Sequence, residues 1–250
     1  MAASYSDLAG KVVLVTGGGS GIGEAIVRRF AQQQAKVAFI DIKDSQALVA
    51  ELAGQGGPVR FEQADLTDIG ALRAAIARIR QALGPIQVLI NNAAHDERHP
   101  TEDVTPEYWD DRIAVNLKHQ FFAAQAVLPD MKAAQGGAIV NFGSVSWMVG
   151  QGGMAAYTAA KSAVLGLTRS LARDYGPYNI RVNAIAPGWI MTQRQIEKWL
   201  TPEGEAELMQ RQCLKRKLVP DEIAKVTLFM ASDEASACTN QQYVVDGGWT

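Results

Sequence analysis

Tyr157 and Lys161 stand four residues apart in a stretch with helical periodicity, so a helix carries the phenol and the ammonium on one face. A phenol with an ordinary pKa near 10 is a poor base at neutral pH, and a neighbouring positive charge favours its phenolate. Lowering the pKa by about two to three units corresponds to roughly 2.7 to 4 kcal/mol. Such a phenolate can take a hydroxyl proton while the carbon beneath it gives up hydride. Ser144, just past the end of an apolar β-branched run, is placed to donate to the same oxygen and hold it. The plainer alternative for Tyr157 and Lys161 is an exposed helical pair, worth a few tenths of a kcal/mol.

A second group of residues is suited to phosphate. Thr16-Gly17-Gly18-Gly19-Ser20-Gly21-Ile22-Gly23 follows an apolar run and opens a helical stretch. Glycines permit a tight turn and a close approach of backbone to pyrophosphate, and a helix N-terminus offers free N–H groups with positive dipole character. Alone the turn is a weak signal; with a strand before it and a helix after it, it reads as a dinucleotide site. Asp41 ends the next apolar run, 18 residues past Gly23. A carboxylate there accepts hydrogen bonds from both hydroxyls of an adenosine ribose and repels a 2′-phosphate. Asp65, ending the third run, is placed either to contact adenine or to cap the helix that follows. With neither Lys nor Arg at positions 18 to 20, NAD is the expected cofactor, and Lys43 leaves NADP possible. An oxidised nicotinamide adds a second positive charge beside Tyr157.

These residues need a scaffold, and the pattern of the chain supplies one. Lys11 to Thr16, Lys36 to Ile40, Val59 to Ala64, Ile86 to Asn91, Ala138 to Phe142, Arg181 to Ala186 and Gln242 to Val245 read as strands covered on both faces. Helical periodicity fills Gly23 to Gln33, Gln46 to Leu52 and Ala71 to Leu83, with two longer stretches at Pro106 to Ala133 and Ala156 to Tyr175. The alternation predicts an α/β fold, a doubly wound seven-stranded parallel sheet with right-handed crossovers, in a single domain over residues 1–250. Trp189 to Val219 breaks the rhythm and is expected as an insertion over the ligand crevice.

Composition narrows the functions available. The 250 residues are 48% hydrophobic and 20% charged, with net charge -2, which gives no basic face for nucleic acid. The two cysteines, Cys213 and Cys238, form no disulfide framework. No apolar run approaches the roughly 18 residues of a membrane span. Met1 to Asp7 has neither the basic nor the apolar region of a secretory signal, so a cytoplasmic protein is expected.

Together these motifs resemble the short-chain dehydrogenase/reductase family. The resemblance rests on Thr16-Gly17-x-x-x-Gly21-x-Gly23, Asn91-Asn92-Ala93, Asn116, Ser144, the Tyr157-x-x-x-Lys161 spacing, Pro187-Gly188 with Ile190 and Thr192, and the terminal Asp246-Gly247-Gly248. It spans Lys11 to Gly248, and one departure is Ala94, where the family usually has glycine. The resemblance implies a Rossmann fold with Asn116, Ser144, Tyr157 and Lys161 as the catalytic set, Asn116 helping to maintain a water-linked proton route through the lysine. It implies cofactor contacts from Gly17, Ser20, Gly21, Ile22, Gly23, Asp41, Asp65, Leu66, Asn92, Ala93, Tyr157, Lys161, Pro187, Gly188, Ile190 and Thr192. It also implies a homotetramer, in which the two long alanine-rich helices pair between subunits and the C-terminal segment forms another contact.

The substrate is expected to be chosen by Ala94-His95-Asp96-Glu97-Arg98-His99, which follows the fourth strand and so rims the site. His95, Asp96 and His99 make a weak metal pattern, and no metal is expected. The preferred reading is that His95 and Asp96, with Ser146, Trp147, Gln151 and Trp189, meet a polyhydroxylated molecule, since buried donors and acceptors discriminate strongly for hydroxyls. Asn91 to His99, with Tyr108 to Arg112, Phe142 to Trp147 and Glu197 to Ala206, resembles the family's bacterial sugar 1-dehydrogenases, which act on aldoses such as xylose or arabinose. The expected activity is NAD(P)-dependent oxidation of an aldose at C1 to its lactone. Two alternatives are a dehydrogenase of another polyol, secondary alcohol or oxoacyl substrate, and a non-catalytic nucleotide sensor. The sensor needs no phenolate, and Ser144, Tyr157 and Lys161 argue against it.

Overall fold

A computed structural model describes residues 3–250. Met1 and Ala2, which begin the N-terminal stretch considered above, lie outside the described residues. The seven apolar runs form β1 (Val12–Thr16), β2 (Lys36–Asp41), β3 (Val59–Gln63), β4 (Val88–Asn91), β5 (Gly137–Phe142), β6 (Ile180–Pro187) and β7 (Gln242–Val245). All pairings are parallel, in the order β3-β2-β1-β4-β5-β6-β7. Winding reverses between β1 and β4, so a crevice opens at their carboxyl ends, where open α/β sheets bind ligands.

Side chains alternate across the sheet and define two cores. Val13 and Val15 of β1, with Val88 and Ile90 of β4, pack beneath α1 (Gly21–Gln32) and α9 (Pro220–Ala231). Val12 and Leu14, with Leu89, face α3 (Ile69–Leu83) and α5 (His119–Ala133). Both faces are covered, which is why the strands read as continuous apolar runs. Asp68, not Asp65, caps α3 by accepting from the amides of Gly70 and Ala71.

Two elements differ from the expected outline. The single helix expected over Pro106 to Ala133 is α4 (Pro106–Ile113) and α5, joined by a π turn at Ala114–Lys118. Asn116 sits in this turn, and its Nδ2 donates to the Arg112 carbonyl at 2.9 Å. The irregular segment after β6 holds two helices, α7 (Gln193–Lys198) and α8 (Pro202–Arg211), begun by Thr192 and Thr201, whose hydroxyls accept amides of the first turn. Its two ends meet in a parallel bridge between Ile190 and Leu218, with Met191 N donating to Leu218 O at 2.8 Å. The remaining helices are α2 (Gln46–Leu52) and α6 (Ala155–Tyr175).

Candidate active site

One cavity of about 1210 Å³ lies at the carboxyl ends of the strands. Its wall contains the glycine turn (Gly17, Ser20, Gly21, Ile22 and Gly23), Asp41, Asp65, Leu66, Asn92, Ala93, Pro187, Gly188, Ile190 and Thr192, together with Ser144, Tyr157 and Lys161. His95, Asp96, Ser146, Gln151 and Trp189 line the same space, whereas Trp147 and His99 are not part of its wall. Asn116 is fully buried behind it.

The glycine turn is shaped by close contacts. Gly17 adopts φ 67°, and a Cβ there would lie 2.7 Å from Ala93 Cα, so the turn presses directly on the end of β4. A Cβ at Gly23 would fall 1.8 Å from the Gly17 carbonyl oxygen. Ser20, in extended backbone, begins α1 without a side-chain capping bond, which leaves first-turn amides directed at the cavity. Uncapped amides, a positive helix end and a wall too tight for side chains suit a pyrophosphate. Asp41 accepts from Gly19 N at 2.9 Å and Lys43 N at 3.1 Å, which fixes its carboxylate beside the glycine turn. Asp65 turns back to accept from the Thr67 amide and hydroxyl. Ala94, the departure from the family pattern, is exposed and has no positive φ, so its methyl group introduces no strain.

Helix α6 carries Tyr157 and Lys161 one turn apart, with the lysine Nζ 5.7 Å from the centre of the phenol ring. Lys161 is 2% exposed and donates to the Phe142 carbonyl oxygen at 2.8 Å, at the end of β5. Burial brings its ammonium down to about 7, against a smaller upward pull from Asp96. Tyr157 is partly open to the cavity but ringed by protein. That surrounding pushes its phenol above the ordinary value, the Asp96 carboxylate adds to the rise, and Ser144 opposes it. The lowering expected from positive charge beside the phenol is therefore not produced by the protein's own groups. Ser144 Oγ also accepts from the Ser146 amide at 3.1 Å, which sets the turn after β5.

Asn116 clamps the loop after β4: its Oδ1 accepts from His95 N at 2.9 Å and its Nδ2 donates to His95 O at 3.1 Å. The Asn116 carbonyl accepts from the buried Gln120 side chain, which also reaches the Phe142 carbonyl shared with Lys161. Its side chain thus positions the loop after β4, and its backbone joins the polar group behind the lysine.

The rim is more internally paired than its composition suggests. Asp96 accepts from Arg194 Nε at 3.0 Å and from Gln195 Nε2, both on α7. Arg194 also donates to Glu97 at 3.1 Å, and Gln195 Oε1 accepts from Trp189 Nε1 at 2.8 Å. His95 contacts Arg112 and Glu97; burial first, then Arg112, holds its imidazole below the ordinary value and hence neutral. Ser146 has a buried hydroxyl without a partner, and Gln151 is exposed. Sequence reasoning missed Arg194, Gln195 and Trp249 in the cavity wall. The first two lie in the first turn of α7 after the Thr192 cap, a signal that α7 borders the site.

A glycine-cradled crevice holding a Ser–Tyr–Lys cluster defines a dinucleotide-dependent oxidoreductase. Comparison with known proteins makes this specific. The family model described as Enoyl-(Acyl carrier protein) reductase matches residues 17–250. The chain is 50% identical over 249 residues to D-xylose 1-dehydrogenase of Caulobacter vibrioides, covering 99% of this chain and 98% of that protein. It is 50% identical over 247 residues to a Rhizobium meliloti protein named "Probable galactose dehydrogenase GalD", covering 98% and 96%. A Beutenbergia cavernae structure with NADP bound at low occupancy superposes with TM-score 0.92 at 34% identity, covering 98% and 99%. The chain belongs to the short-chain dehydrogenase/reductase family. It is a dehydrogenase acting on CH–OH groups with a nicotinamide cofactor.

Proposed function

We propose that this dehydrogenase oxidises a cyclic aldose at C1 to its aldonolactone, with NAD preferred. The observation that carries the reading is a single cavity in which Ser144, Tyr157 and Lys161 face a rim of polar and indole groups. Two relatives at 50% identity bear the names of sugar dehydrogenases, which supports it. Ser144 and Tyr157 hold the anomeric hydroxyl oxygen, and the Tyr157 phenolate takes its proton as the C1–H bond breaks and C1=O forms. The glycine turn, Asp41, Pro187, Gly188, Ile190 and Thr192 would hold an oxidised nicotinamide cofactor, which would supply a hydride acceptor and the positive charge that the raised phenol requires. Lys161 holds the phenol's end of the site through its anchor on the Phe142 carbonyl. His95, Ser146, Gln151 and Trp189 are the proposed sugar neighbours, and Asp96 acts by fixing α7 above them.

Asp41 supports the NAD preference, because its fixed carboxylate would face a 2′-phosphate; Lys43 at the same wall keeps NADP usable. A homotetramer is proposed as well. An apolar groove lined by Ile113, Leu117, Phe121, Phe122, Ala163 and Leu167 runs along the long helices, and Phe121 is 40% exposed. A monomer mass by light scattering at micromolar concentration would refute that part. Among the described residues no helix is long and apolar enough to cross a membrane.

The deciding experiment follows nicotinamide reduction with a panel of xylose, arabinose, fucose, galactose and rhamnose, each with NAD and NADP. Lactone trapped as its hydroxamate identifies C1 as the oxidised carbon. Failure of every aldose, with success of an acyclic polyol or secondary alcohol, overturns the reading.

A further inference from the structure

The chain does not simply run out after β7. Asp246 Oδ1 accepts from Gly248 N at 2.8 Å, while Oδ2 accepts from the Thr250 amide at 2.8 Å and its hydroxyl at 3.0 Å. Gly247 and Gly248 take φ 70° and 79°, a conformation that a side chain would strain. Their carbonyls accept from Leu214 N and Cys213 N, both at 2.9 Å, which stitches the tail to the segment leaving α8. Gln212 in that segment is fully buried and donates to the Leu214 and Arg216 carbonyls, so the surface receiving the tail is itself fixed. On the other side, a Cβ at Gly188 would lie 2.7 Å from Asp246 Cα, so the tail also packs directly against the turn after β6. These contacts form a strap that closes one side of the cavity.

The strap brings the indole of Trp249 into the cavity wall. Trp189 and Trp199 line the cavity too, but each is engaged within the protein. Trp189 gives its N–H to Gln195, and Arg98 lies over the ring of Trp199 at 4.5 Å. Among the described residues Trp249 has neither engagement; its Nε1 is buried without an acceptor, as is that of Trp199, but the Trp199 ring is covered by Arg98. An unpartnered buried N–H costs about 1–3 kcal/mol, which Phe or Leu would avoid at a position that only filled space. An indole presents a large, rigid apolar face, and the ring form of an aldose presents a matching face of C–H bonds that a flexible acyclic polyol does not hold.

We propose that the C-terminal strap builds one wall of the substrate subsite and that Trp249 determines specificity for ring-form aldoses. This rests on the aldose reading given above. The test measures KM for the best aldose and for NAD in Trp249→Leu and Trp249→Phe, with thermal unfolding as a check on folding. Trp249→Leu is expected to raise the aldose KM about tenfold, the size of one aromatic contact, while KM for NAD stays within about twofold. Trp249→Phe should recover most of that loss. Equal aldose KM in wild type and the leucine variant overturns the proposal, as does an equal rise in both KM values. If no aldose is oxidised but another alcohol is, the aldose reading fails by itself. The same variants on that alcohol then judge the strap, and an unchanged KM refutes it as a substrate wall.

Discussion

Both carboxylate oxygens of Asp96 are engaged by α7, so its removal should act through the cover over the cavity. Arg194 and Asp96 form an ion pair whose side chains are 36% and 20% exposed, between a surface pair worth 0.2–1 kcal/mol and a shielded charge-assisted bond. A coupling of about 1 kcal/mol follows, or about a fivefold change in the fraction of molecules with α7 seated. The assay is a double-mutant cycle: kcat/KM for sugar in wild type, Asp96→Ala, Arg194→Ala and the double variant. Each single substitution should lower kcat/KM several-fold, and the double variant should be little worse than either. Additive effects, with Arg194→Ala near wild type and Asp96→Ala alone impaired, would show that Asp96 meets the sugar directly and would refute the latch.

Tyr157→Phe removes the proton acceptor and little else, so turnover should fall by about 10²- to 10⁴-fold while NAD binding by fluorescence titration persists; near-normal turnover would reject Tyr157 as the base. Asp41→Ala should raise kcat/KM with NADP relative to NAD by about tenfold, as one misplaced charge contact predicts, and an unchanged ratio would remove Asp41 from cofactor choice. His119 is fully buried, and burial together with the charge of Lys161 holds its imidazole at about 3. A folded pKa below the unfolded value near 6.5 means that its stability contribution is complete above pH 6.5 and declines as pH falls toward 3. Between pH 6.5 and 5 the wild type should lose about 2 kcal/mol from this group, a decline that urea unfolding of His119→Gln should lack. Parallel pH profiles of the two proteins would show that His119 does not titrate in this way.

The strands and the glycine turn were legible because period and composition are local properties. Tyr157 and Lys161 were legible because four residues on a helix is one turn. The π turn at Ala114–Lys118 leaves no periodic trace; it carries Asn116, whose partner His95 lies 21 residues earlier. The pairing of Asp96 was illegible for the same reason, since Arg194 and Gln195 lie 98 and 99 residues away. Sequence showed a polar residue at the rim but not that its oxygens were already engaged. Trp249 stood beside a recognised Gly-Gly pair, yet only the folded strap shows that these glycines turn it into the cavity.

The bridge between Ile190 and Leu218 gives the segment between them a defined pair of terminals. What lies between those terminals can change in length or sequence while its two ends stay side by side, because the chain leaves β6 and enters α9 at neighbouring points. Loops on a rigid scaffold tolerate such exchange. Residues 193–211, between the Thr192 contact with the glycine turn and the Gln212–Leu214 stretch that holds the tail, thus behave as a cassette, and transplanting the corresponding segment from a relative with another substrate offers a way to move selectivity between enzymes while leaving Tyr157, Lys161 and the glycine turn untouched.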